Sequence, residues 1–400
     1  MVKRMSLRVQ PSTTLKIGPP TAGFVVLFLL SVGVTIPLAE TAFPFLETLH
    51  SASVFSLYGS IVLAVGFIFH KIAGGDKPGK IHVVLSSIVL VTGIIPFLSG
   101  PALYEGNTIV WFQSHVIFAV LILFSPYITF EDIYRIFIFV SLFSILTVLA
   151  GAGAFSIDDR TGLFTQGRLR GVLGHPNITG MAGAVLILIS VSSQKVRIFG
   201  AIIGSIVVLG SFSFTSIVAL LIALVVSRTR YQKMFQWYLL AGLVVLLTPA
   251  LLVERRSGFL NPDQFTGRTG IWEWAMAQLS VPLEQRGLGF FRLLQEQGAI
   301  PWSHAHNQVI MDLVSGGFLL AATGVLFITS MAFDLNRKHN KFGIMLWLVL
   351  VVQALTEIPL FLDYPSGRLL YLVLITALIV GNHNSSIKTS STKPAARGTH

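Results

Sequence analysis

Three short stretches of this chain hold residue types able to do chemistry on a phosphate ester. The first runs Gly167-Arg-Leu-Arg-Gly-Val-Leu-Gly-His-Pro-Asn-Ile-Thr-Gly180. Its closely spaced glycines let the backbone approach a ligand, and Arg168 and Arg170 stand just before a helix start. Pro176 and Asn177 suit the opening of that helix, a role that needs no ligand. The second is Phe265-Thr-Gly-Arg-Thr-Gly-Ile-Trp272, with Arg268 at another helix start, and the third is Ser303-His-Ala-His-Asn307. A guanidinium binds phosphate through two parallel hydrogen bonds. A neutral imidazole beside it can take the proton of an attacking hydroxyl while the arginines hold the departing phosphate. Together these types suit group transfer from a phosphate ester.

His304 and His306 are two residues apart. In a strand they would share a face; at a helix start they point apart, so at most one is expected to act. A His-x-His pair also suits a metal, but zinc needs three or four ligands. No spacing groups His50 or His175 with the pair, and the chain has no cysteine. No metal and no cofactor are therefore expected, and a thiolate nucleophile and a disulfide framework are excluded.

The elements that must position these residues belong in a membrane. Hydrophobic residues make up 53% of the chain and charged residues 11%, against about a quarter charged in soluble domains. Apolar runs of about 15 to 23 residues, the length that crosses roughly 30 Å of hydrocarbon, recur throughout. The expectation is an all-α polytopic protein with about twelve spans: 19–38, 52–69, 81–98, 108–126, 133–153, 177–193, 198–211, 214–227, 236–253, 308–332, 342–360 and 368–382. The division inside 198–227 rests on Ser211-Phe-Ser-Phe-Thr215, the one plausible turn there. The basic start reads as leading into a retained first span rather than a cleaved signal. Residues 1–18 are then a cytoplasmic N-terminus, 19–382 one transmembrane domain, and 383–400 a disordered cytoplasmic tail rich in Ser, Thr and Lys.

Charge orients the spans. With twelve of them, all eleven lysines fall on the side of both termini, which is the cytoplasmic side by the positive-inside rule. This arrangement also accounts for the net charge of +11, so no nucleic-acid partner is expected. The outer face instead holds nine arginines (Arg160, Arg168, Arg170, Arg255, Arg256, Arg268, Arg286, Arg292 and Arg368) and no lysine. Basic residues there oppose correct insertion, and the exclusive use of the planar fork favours oxyanion recognition over plain charge. Two outer loops, 154–176 and 254–307, are long enough to build a site. The second, 54 residues long, carries Trp272, Trp274, Phe290, Phe291 and Trp302. Thr269–Leu279 reads as a short helix with Ile271, Ala275 and Leu279 on one stripe. This loop is expected to fold back on the bundle as a partial lid.

Taken in order, Arg168-Leu-Arg-Gly-Val-Leu-Gly-His-Pro-Asn177, Thr266-Gly-Arg-Thr-Gly-Ile-Trp272, and His306-Asn307 opening a span that contains Gly316-Gly317 closely resemble the O-antigen ligase/polymerase family. The resemblance covers about half the chain, 150–330. It implies a metal-independent membrane glycosyltransferase on the outer face of the cytoplasmic (inner) membrane. Its donor would be a glycan on undecaprenyl pyrophosphate and its acceptor a glycan or lipid. Membrane lipids and other polysaccharide-assembly proteins would be partners. By position, Arg170 or Arg168, with Arg268, would bind the pyrophosphate and His306 would be the base. His304, Asn307 and Asn177 would lie against substrate. The rival class is a multi-span transporter of an anion or lipid-linked sugar; it would be expected to carry ionisable groups at mid-membrane, where only His115 stands clearly inside a span.

Overall fold

The computed structural model describes residues 21–39, 48–98, 107–146, 155–156, 168–193, 197–228, 268–278, 286–300, 304–338, 340–362 and 366–381. These form helices α1 (Ala22–Ala39), α2 (His50–Ala73), α3 (Lys80–Leu98), α4 (Asn107–Phe124), α5 (Phe130–Leu146), α6 (Pro176–Ser192), α7 (Ile198–Ser211) and α8 (Phe214–Arg228). Then come α9 (Arg268–Ala277), α10 (Phe290–Glu296), α11 (Gln308–Lys338), α12 (Lys341–Thr356) and α13 (Gly367–Val380). One small antiparallel pair, β1 (Phe155–Ser156) with β2 (Arg168–Leu169), is the described strand structure.

Eleven of the twelve expected spans coincide with helices; the ninth, 236–253, lies outside the described residues, as do the segments 1–18 and 383–400. Four helices are long and apolar enough to cross a membrane: His50–Ala73, Lys80–Phe97, Thr108–Tyr127 and Gln308–Lys338. On α2 the outward face carries Phe55, Val62 and Phe69, each at least two-thirds exposed (79%, 69% and 68%). Seven-residue spacing puts them on one stripe, and so large an exposed apolar face requires an apolar surrounding. By contrast α13 is buried around nearly its whole circumference, Arg368 apart, which makes it a central helix of the bundle.

The sequence expects only His115 to stand clearly inside a span, and the structure corrects this. Asp312 is also buried within α11, where it accepts a hydrogen bond from Gln308 Nε2 at 2.8 Å. The oversight is physical: one carboxylate barely lowers the hydropathy of a 31-residue helix.

Close approach of α6 and α7 needs glycine on both. A Cβ at Gly204 would stand 2.7 Å from the Gly183 carbonyl oxygen, and one at Gly183 would stand 2.8 Å from that of Gly204. Small residues at such a crossing let backbones meet. Gly204→Val is expected to lower stability by about 1–3 kcal/mol, read as a lower melting temperature of the purified protein. Gly66→Ala, on α2 with open space around it, should leave the melt almost unmoved.

Several helices are short. The 14 residues of α13 reach about 21 Å at 1.5 Å per residue, less than the roughly 30 Å of hydrocarbon. Irregular backbone at the ends of such helices is tolerated only where protein buries it or it borders a cavity. One end of the bundle meets this condition: the turns 211–214 and 304–307 and the residues 357–362 gather there beside the start of α6. The opposite end carries the ion pairs Arg197–Glu131 (2.8 Å) and Lys338–Asp334 (2.7 Å).

Candidate active site

The start of α6 is built by its own residues. His175 is the N-cap, its Nδ1 accepting the Asn177 N–H at 3.3 Å, and Pro176 takes the first helical position. The preceding turn passes through Gly171 (φ 58) and Gly174 (φ 78), both left-handed. The carbonyl oxygen of Arg170 accepts a hydrogen bond from Thr179 Oγ1, tying the turn back onto the helix.

The segment before α11 takes a conformation that helix geometry would not suggest. His306 has φ 50, in the left-handed region rare for a residue with a side chain. Tertiary contacts hold it there. Trp272 Nε1, from α9, donates to the Ala305 carbonyl at 2.9 Å. Asn307 caps α11, its Oδ1 accepting the Ile310 N–H at 3.0 Å, while its Nδ2 donates to the Leu355 carbonyl at 3.2 Å. The turn sets the rings of His304 and His306 with centroids 4.0 Å apart. The expectation that these histidines point apart is thus corrected: the left-handed turn brings both rings to one side.

Both rings face Glu357, which follows α12. The expected span 342–360 ends as helix at Thr356, so this carboxylate lies past the helical segment. His304 Nε2 is 3.7 Å from Oε2 and His306 Nδ1 is 3.7 Å from Oε1. Asn177 Nδ2 donates to Oε1 at 2.5 Å, and Arg168 Nη2 donates to Asn177 Oδ1 at 2.7 Å. Arg168 Nε also holds the Ser211 carbonyl at 2.9 Å, anchoring the α7–α8 turn. Asn177 and the two histidines, 127 and 129 positions further along the chain, thereby converge on one carboxylate, itself 180 residues from Asn177.

Burial pushes His304 down to about 4, with His306 adding to the shift and Glu357 opposing it. Burial likewise pushes His175 down to about 3 against the pull of Glu357. For Glu357, burial alone would raise the carboxyl. Its interaction with His175 and with the facing His304 and His306 outweighs burial and holds it well below the usual carboxylate range. At neutral pH His304 and His175 are thus neutral and Glu357 is ionised.

The signs give a pH prediction. For a depressed histidine the unfolded chain takes up the proton first, so stability is complete above about pH 6.5 and falls as pH drops towards 4. His304 alone contributes on the order of 3 kcal/mol to that fall. Glu357, also depressed, loses its contribution below about pH 4.5. Thermal melts of the purified protein at pH 8, 7 and 5 should show little change over the first step and a clear drop over the second.

Beside this cluster lies a cavity of about 630 Å³, within the range of ligand pockets. Its polar lining includes His175, His304, Arg292, Gln295 and Arg368, and its apolar lining includes Trp111, Leu288, Phe291 and Phe361. The segment 286–300 of the second loop supplies Leu288, Phe291, Arg292 and Gln295 to its wall. Ala275, Leu288, Phe291 and Ile300 join one buried cluster with Trp111, Met311 and Phe361. In α9, Ile271 and Ala275 are buried on one stripe, and Leu279 lies outside the described residues.

Of the residues singled out in the sequence, His304 reaches the cavity wall and His306 pairs with Glu357. Asn177, Asn307 and Arg168, expected against substrate, make hydrogen bonds to protein that position Glu357 and the turn carrying the histidines. Arg170 is exposed and its guanidinium donates to the Gly174 carbonyl, 3.3 Å from Nη2. Arg268 opens α9, and its side chain lies outside the described residues. Glu357, missed entirely, carries a readable signal: it is the sole ionisable residue of the apolar run 342–360, a position that points to function. Arg292 and Arg368 were visible only as members of the outer arginine set. No protein-family model matches the chain. No curated protein matches it either.

Proposed function

We propose that this chain is a membrane glycosyltransferase that moves an undecaprenyl-pyrophosphate-linked glycan onto an acceptor hydroxyl, as a polymerase or ligase of cell-surface polysaccharide. One observation carries this reading. Segments with the motif pattern of the O-antigen ligase/polymerase family, far apart in sequence, converge at one end of the helix bundle beside a cavity with arginines on its wall.

In the proposed reaction His306 is the base. Its Nδ1 faces Glu357, which leaves Nε2 to take the proton of the acceptor hydroxyl. The acceptor oxygen bonds to the anomeric carbon as the bond from that carbon to the pyrophosphate oxygen breaks, inverting the centre. Undecaprenyl pyrophosphate leaves, its charge met by arginine: Arg268 and Arg170 by family resemblance, Arg368 and Arg292 by their place on the cavity. No metal takes part in this step. Twelve spans with cytoplasmic termini put the site on the extracytoplasmic face of the cytoplasmic membrane, where a donor lipid can reach it.

The test is transfer from a lipid-linked donor in isolated membranes carrying His306→Ala or Arg268→Ala. Both variants should lose product and accumulate donor on the lipid carrier. Full activity in both would end the proposal. Uptake or flipping by purified protein in liposomes, with no glycosidic product, would point instead to a transporter.

A further inference from the structure

We propose that His304, His306 and Glu357 form a binding site for a zinc-type transition-metal ion, and that the bound ion switches the site off. The binding half stands on geometry alone; the inhibitory half rests on the proposed role of His306 as base.

The spacing is that of ligands rather than of hydrogen bonds. One ligand atom from each of the three residues can be chosen so that all lie within 4.8 Å of one another. The two imidazole nitrogens stand 3.7 Å from separate oxygens of Glu357, too far for direct hydrogen bonds. Bonds of 2.0–2.1 Å in a tetrahedral site put neighbouring ligand atoms about 3.3 Å apart, so side-chain shifts of at most about 1.5 Å, within reach of rotation about the side-chain torsions, close the trio on an ion. His306 Nδ1 is buried and, among the described residues, has no hydrogen-bond partner.

The surroundings also match a metal site. A ligating carboxylate is normally fixed by outer partners, and Asn177 donates to Glu357 at 2.5 Å while Arg168 holds Asn177. The left-handed backbone of His306, braced by Trp272 and Asn307, holds both rings ready without further reorganisation. Two imidazoles and one carboxylate select zinc, cobalt or nickel over magnesium or calcium. With His304 on the cavity wall, a fourth position can open towards the cavity and take water. The His175 ring, 6.4 Å from that of His304, is too distant to ligate directly and suits a hydrogen bond to that water.

Inhibition follows from the tautomer. An ion on His306 Nδ1 uses that lone pair, so the neutral ring must carry its proton on Nε2. Nε2 then has no lone pair for the acceptor proton, and the base is lost.

The experiment uses the full-length, untagged chain in detergent, stripped with chelator and titrated with Co²⁺. One Co²⁺ per chain with the visible absorption of tetrahedral coordination is expected, and Zn²⁺ should displace it. His304→Ala and Glu357→Gln should abolish the band. Asn177→Ala should weaken binding about 10–100-fold, and His50→Ala, at the exposed start of α2, should keep it. Should a ligand variant fail to fold, the metal-induced rise in melting temperature of the unsubstituted chain supplies the same reading. Absence of both the band and the thermal shift, or a band untouched by His304→Ala and Glu357→Gln, overturns the site. These readouts need no transferase activity, so they stand or fall separately from the proposed reaction. If transfer is observed and is unchanged or faster at full Zn²⁺ occupancy, the inhibitory half is overturned.

Discussion

Glutamine in place of Glu357 is expected to lower the turnover of glycan transfer by about 10²–10⁴-fold, with little change in the donor concentration that half-saturates the enzyme. Glutamine keeps the size of the side chain and can still accept the Asn177 amide, so the start of α6 and the end of α12 stay joined. What it removes is the charge opposite His306 Nδ1, 3.7 Å away. That charge favours the ring tautomer with its lone pair on Nε2 and stabilises the imidazolium formed when the acceptor proton arrives. Both effects belong to the transition state rather than to donor binding, so kcat falls and KM holds. A merely structural carboxylate would give a different result: Glu357→Gln would lower the melting temperature and, among molecules still folded, transfer as fast as the unsubstituted protein. Normal turnover in a well-folded Glu357→Gln variant would remove Glu357 from the mechanism.

How far the sequence anticipates this site depends on whether a feature is local. Helix positions follow from apolar runs, and the His-Pro-Asn start of α6 and the Ser211–Thr215 turn follow from residues within one turn of helix; the structure agrees at each. The α7–α8 break is made by Phe212, at φ 46, inside the short polar stretch singled out for it. Side-chain partnerships across the chain are a different matter. Asn177 meets Glu357 over 180 residues and Arg168 meets Ser211 over 43, and no periodicity encodes either. The left-handed turn at His306 is set by Trp272 and by Asn307 reaching Leu355. Local rules therefore gave the wrong relation between His304 and His306. Residue type alone also does not reveal that Arg168, Asn177 and Asn307 brace the site, because a polar side chain that braces a site has the same composition signature as one that touches substrate.

The same reasoning separates the arginines. Arg368→Ala is expected to raise KM for the lipid-linked donor about 10–100-fold, the worth of one or two charge-assisted hydrogen bonds, with a smaller fall in kcat. Arg368 lies on the cavity wall at the first turn of α13, where Ser366 Oγ accepts its N–H at 3.3 Å. Its Nη1 donates to the Phe361 carbonyl at 2.7 Å, which fixes the direction of the guanidinium before any ligand arrives. A fork so held binds a diphosphate without first losing rotamer freedom. Arg368→Lys should therefore rescue little, since an ammonium restores charge but not the planar pair of donors. Arg292 also borders the cavity, but its side chain is 60% exposed and paired with Glu296 at 3.1 Å. Solvent screens it, and Arg292→Ala should change KM only about two- to fivefold. If Arg368→Ala and Arg292→Ala prove equal, or if Arg368→Lys restores donor binding in full, the cavity attracts its ligand by charge density alone and the oriented-guanidinium account of donor recognition fails.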